Sequence, residues 1–109
     1  MEKYDNNNTK ALIKAIFTLK NEDEISRFFR DLLTPQEIIE FGKRWQAAQM
    51  LNKNMPYTQI VEATGLSSTT VARVSRWLKK GMGGYRMVIK RLGNKNHHNH
   101  NFLLTKRSG

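Results

Sequence analysis

An all-α fold carrying a helix-turn-helix is predicted by three features of the sequence. Apolar residues recur at helical spacing, a glycine separates two short capped segments within residues 57–80, and positive charge is concentrated in the half that holds this corner. No run alternates with the two-residue period of a strand, and no segment repeats another.

Each element follows from local signals. Asn6-Asn7-Asn8-Thr9 reads as a frayed lead that supplies an N-cap, so residues 1–9 are set apart from a helical domain over residues 10–92. From Ala11 to Leu19 seven of nine positions are apolar, more than one packing face can use. A second subunit is the simplest cover for such a helix in a chain of 109 residues. Asn21 followed by Glu24 has the form of a capping box, and it opens a helix through Ile25, Phe28, Phe29, Leu32 and Leu33. Thr34-Pro35-Gln36-Glu37 is a stronger start, with Thr34 at N-cap, Pro35 at N1 and Glu37 at N3. That third helix runs to about Asn52 with Ile38, Phe41, Trp45 and Ala48 on one face, and Asn54 through Pro56 break it. Gly83-Gly84 feeds a last helix through Met87, Val88 and Leu92, and residues 93–109 read as a flexible basic tail.

Charge and composition narrow the function. The chain holds 19 Lys+Arg and 9 Asp+Glu, a net of +10. Residues 1–40 carry six bases and eight acids, whereas residues 41–109 carry thirteen bases and one acid, Glu62. A solvated surface normally mixes both signs, so the second half calls for a polyanionic partner, and nucleic acid is the first choice. A membrane partner is not expected, because no run approaches the ~18 apolar residues of a span and no basic amphipathic face is present. No secretory pattern opens the sequence, so the chain is expected to stay inside the cell. The chain has no cysteine, which excludes disulfides, thiol catalysis and cysteine-bound zinc.

Catalysis is not expected either. Asp31, Glu37 and Glu40 are the nearest carboxylates to one another, and each fits a cap or a solvated face with no His or Cys beside it. Gly83-Gly84 lacks the lysine and flanking strand of a phosphate-binding loop. His97, His98 and His100 stand in an Asn-rich stretch with no ordered frame for a metal, so none is expected.

The corner itself carries the signal for function. Tyr57 to Thr64 make a helix of about two turns, ended by Gly65, which adopts the left-handed conformation without steric cost. Leu66 fills the corner, Ser67 caps a second helix from Ser68 to about Lys80, and Gly81 closes it. Ile60, Ala63, Leu66, Val71, Val74 and Leu78 take the inward positions. Ser67, Ser68, Thr69, Thr70, Ala72 and Arg73 are the candidates to read bases: small side chains allow close approach, methyl groups meet thymine, and arginine pairs with guanine. Thr58, Gln59, Arg76, Lys79 and Lys80 are the candidates to hold phosphates. Val61 departs from the pattern, standing where a small side chain usually lets the two helices touch. Two readings follow: a sequence-specific regulator of double-stranded DNA, or a helical module that binds DNA or RNA phosphates without reading bases.

Leu33-Thr34-Pro35-Gln36-Glu37, Gly42-Lys43-Arg44, the Gly65 turn and Thr70-Val71-Ala72-Arg73 together resemble the Trp repressor superfamily, most of all its YerC/YecD-type branch, over about residues 10–92. The resemblance implies an intertwined helical homodimer that represses transcription by placing two recognition helices in successive major grooves of an inverted repeat. It also implies a corepressor pocket in which two arginines, here Arg44 and Arg73, sandwich an indole. Val74 stands where the family has a glycine that makes room for the ligand, and Trp77 where it has a serine that holds the amino group. These two bulky replacements argue against a tryptophan corepressor, and no cofactor is expected. Whether another small-molecule effector uses Arg44, Arg73 and Trp77 is left open by the sequence.

Overall fold

A computed structural model describes residues 3–94. Among these residues there are six helices and no strand: α1 (Asn7–Phe17), α2 (Glu22–Leu32), α3 (Pro35–Asn52), α4 (Tyr57–Thr64), α5 (Ser68–Lys80) and α6 (residues 84–94). The chain divides into two compact units, one ending at Glu40 and one beginning at Phe41, with α3 running from the first into the second. The tail histidines and Lys95, Lys106 and Arg107 lie outside the described residues.

In the first unit the caps do more than the packing. Asn6 accepts a hydrogen bond from the Thr9 backbone N–H at 2.9 Å, so α1 begins at Asn7, before its apolar run. The Asn21 side chain accepts from the Glu24 N–H at 2.9 Å, as its N-cap position predicts. The return bond of this box is displaced, because the Glu24 carboxylate accepts from the Lys20 N–H, one residue before the cap. The box at α3 is complete. The Glu37 N–H donates to Thr34 Oγ1 at 3.1 Å, and the Thr34 N–H donates to Glu37 Oε1 at 2.9 Å. The Thr34 backbone N–H, and after it the Thr34 hydroxyl, hold the Glu37 carboxyl below its ordinary value of 4.5.

Neither α1 nor α2 buries a residue completely. Phe17 is 90% exposed and Ile13 60% exposed, and Ile25, Leu32 and Ile39 are exposed as well. An Arg27–Asp23 pair of 3.0 Å links adjacent turns of α2, but both side chains lie in solvent, where such pairs contribute at most ~1 kcal/mol.

The second unit has a true core. Ala47 and Ala48 of α3, Ile60 of α4, Leu66 of the turn, and Val71 and Val74 of α5 form one buried cluster. Leu78 extends the buried face of α5 by one more turn. Val61, half-buried, packs against the edge of this cluster. Helix α3 ends in a Schellman arrangement: Met55 N–H donates to Met50 O, Asn54 N–H donates to Leu51 O, and Asn54 takes a positive φ of 61°. Helix α6 turns Tyr85, Ile89 and Leu92 inward and leaves Met87 and Val88 exposed. Tyr85 stacks on Trp45 with ring centroids 6.2 Å apart, so Trp45 is half-buried against α6.

Candidate nucleic-acid interface

The recognition corner is assembled from backbone requirements outward. Gly65 ends α4 at φ 76°, a left-handed conformation that costs an L-residue about 1–2 kcal/mol, and its N–H bonds to Val61 O. The chain then turns into α5 at Ser67, whose Oγ accepts from the Thr70 N–H at 3.1 Å. The Ser67 hydroxyl also donates to Thr70 Oγ1 at 3.0 Å, so these two hydroxyls support one another at the start of the helix.

One inward assignment is corrected. Ala63 is exposed, and Thr64 takes the buried place one helical turn after Ile60. Threonine can be buried there because its hydroxyl donates to Ile60 O at 2.7 Å and accepts from the Leu66 N–H at 3.2 Å. The same bonds tie the end of α4 to the turn residue.

Gly81 closes α5 as predicted, for a steric reason and not a left-handed one. Its φ is −82°, and a Cβ there would lie 2.3 Å from the Trp77 carbonyl oxygen, well inside contact distance.

Helix α5 has two sharply different faces. Val71, Val74, Ser75 and Leu78 are buried, while Ser68, Thr69, Ala72, Arg73 and Arg76 are exposed together. Thr70 lies between, half-buried. No acidic residue occurs in α5, and Lys79 and Lys80 stand in its last turn. Thr58 and Gln59 are exposed in the first turn of α4. A rigid helix thus presents hydroxyls, a methyl and guanidinium groups to solvent from a fixed base, the arrangement needed to enter a major groove.

The residues matched to the corepressor pocket are divided among different surroundings. Arg44 lies 5.8 Å from the Phe41 ring and lines a recess of about 260 Å³ with Phe41, Trp45 and Tyr85. Trp77 lines an open apolar cleft of about 550 Å³ with Trp45, Met82, Tyr85 and Val88. Arg73 stands exposed on α5, and neither recess is lined by both arginines. Burial raises the Tyr85 hydroxyl above its ordinary value of 10.0, an effect that the charge of Arg44 partly offsets. Sequence reading did not foresee Tyr85 at this place. Its spacing from Ile89 and Leu92 on α6 was the available signal.

A capped, basic recognition helix braced against α3 and α4 defines a helix-turn-helix DNA-binding regulator. A family model, the Trp repressor protein, matches residues 7–93, and the chain belongs to the Trp repressor family. It is 38% identical over 81 residues to the YerC protein of Bacillus subtilis (strain 168), covering 74% of this chain and 78% of that one. A Trp operon repressor homolog from Actinobacillus succinogenes is 36% identical over 70 residues, covering 63% of this chain and 69% of that protein. The crystal structure of a TrpR-like protein from Eubacterium eligens superposes with a TM-score of 0.77 at 39% identity, covering 83% of this chain and 93% of that one. The chain is therefore a regulatory DNA-binding protein of YerC type and not an enzyme. No described helix is long and apolar enough to cross a membrane.

Proposed function

We propose that this protein is a homodimeric transcriptional repressor that reads an inverted-repeat operator through α5 and needs no tryptophan to do so. The observation that carries the reading is the exposed group Ser68, Thr69, Ala72, Arg73 and Arg76 on a helix anchored by fully buried Val71 and Val74. Ser68, Thr69, Ala72 and Arg73 read base edges, and Thr58, Gln59, Arg76, Lys79 and Lys80 grip the flanking phosphates. The Ser67 and Thr70 hydroxyls, engaged with each other, set the start of the reading helix.

The apolar side chains that α1 and α2 leave in solvent support a dimer, since a second copy would cover them. Two-fold symmetry then places the half-sites of the operator about one helical turn, ~34 Å, apart. Independence from tryptophan is supported by Val74, which is 0% exposed and packed into the core where a glycine would leave room beside Arg73. Trp77, 45% exposed on the same helix, adds an indole of the protein's own next to that place.

Paired substitutions test the assignment of roles. Thr69→Ala changes which duplexes are preferred, whereas Lys79→Ala weakens all duplexes alike and lowers the salt slope by about 1. Equal effects of both on every duplex would instead support a phosphate-binding module without base readout.

A further inference from the structure

Lys43 belongs to α3 and is remote in sequence from the corner, yet its side chain ends there. Lys43 Nζ lies 3.7 Å from the position a Cβ would occupy on Gly65, the residue that terminates α4. Lys43 is half-buried and stands one helical turn before Ala47, which is fully buried against the corner. Its stem thus follows the face of α3 that packs on α4 and α5, and its ammonium emerges at the C-terminal end of α4. That end concentrates negative partial charge from carbonyls left without helical partners. Helix α4 has no basic residue in its own last turn, so Lys43 is the cation that α3 supplies there.

We propose that Lys43 is a positioning residue for DNA recognition: it holds the Gly65 turn against α3 and thereby fixes how α5 leaves the corner. This inference rests on the reading of α5 as the base-reading helix, but its structural half stands without it. Lys43 acts by orienting Ser68, Thr69 and Ala72 through the turn, without touching phosphate itself. An ammonium at a helix C-terminus contributes about 0.3–1 kcal/mol, which converts to roughly a two- to fivefold effect on an equilibrium.

Lys43→Met keeps the stem and removes the charge, and Lys43→Arg restores a cation. In the DNA-free protein, amide hydrogen exchange at Gly65, Leu66 and Ser67 is expected to quicken about two- to fivefold in Lys43→Met and to recover in Lys43→Arg. With DNA, Lys43→Met is expected to lower the ratio of preferred to scrambled duplex affinity by a similar factor with the salt slope unchanged. Unchanged exchange at these amides would overturn the proposal. A salt slope smaller by about 1 in Lys43→Met, as for Lys79→Ala, would overturn it too, making Lys43 a phosphate contact. If the unsubstituted protein shows no sequence preference, the proposed function fails, while the exchange measurement still decides the role of Lys43.

Discussion

The two units of this chain use the same apolar residue types to opposite ends. In the second, small and branched residues from α3, α4, the turn and α5 disappear into one cluster, and the polar Thr64 is buried only because both functions of its hydroxyl are satisfied. In the first, α1 and α2 are well capped but bury nothing completely, and Ile13 and Phe17 point into solvent. Caps are local and cost no partner, whereas burial needs an opposing surface. The comparison teaches that the corner carries a core of its own, while the N-terminal helices leave apolar side chains that another molecule would cover. Our assignment of that molecule to a second copy follows from this difference.

The largest expected effect falls in the second unit. Ile60→Ala removes a fully buried side chain between α3 and α5, and should cost about 2–5 kcal/mol in denaturant unfolding. Next comes the apolar surface of the first unit. Ile13→Asp should weaken self-association by about 2 kcal/mol or more in sedimentation equilibrium, the scale of an interface anchor. If Ile13→Asp left association intact, the N-terminal helices would not be the dimer surface. Gly81→Ala should cost about 2 kcal/mol of stability, because the added Cβ collides with the Trp77 carbonyl and the end of α5 must shift.

The smallest effect is at the α3 cap. The Glu37 carboxyl is held below 4.5 in the folded protein, so the stability it contributes is fully present above its unfolded value. That contribution disappears as pH falls from about 4.5 through the depressed folded value. Glu37→Gln removes the titrating carboxyl of the box and should flatten this acid limb in a series of melting curves. An unchanged limb would assign the acid sensitivity elsewhere.

Much of the corner was legible from residue type because its constraints are local. Gly65 has a conformation that glycine serves best, Ser67 has a cap that serine serves best, and α5 spans Ser68–Lys80 as its signals predict. Legibility ended where tertiary contact decides. Apolarity favoured Ala63 over Thr64, yet the exposed one is Ala63, since helical phase and the Ile60 carbonyl make the hydroxyl acceptable inside. Periodicity placed Ile38, Phe41, Trp45 and Ala48 on the packing face of α3; Ala48 is fully buried there, but so is its neighbour Ala47, and Phe41 is exposed. The reach of Lys43 to Gly65 could not be read from spacing, because it depends on how α3 lies against α4. The family resemblance was carried by the Thr34 box, by Gly42-Lys43-Arg44 and by the corner.

The central claim, a dimer that reads sequence through α5 without a corepressor, is tested most directly by selecting bound duplexes from a random DNA pool at near-physiological salt with no tryptophan present. The account predicts enrichment of an inverted repeat whose half-sites lie about one helical turn apart, at an affinity roughly 10³-fold or more above background. Retention of DNA with no enriched sequence would contradict base reading by the unliganded protein, and enrichment only after tryptophan is added would contradict the account of Val74 and Trp77.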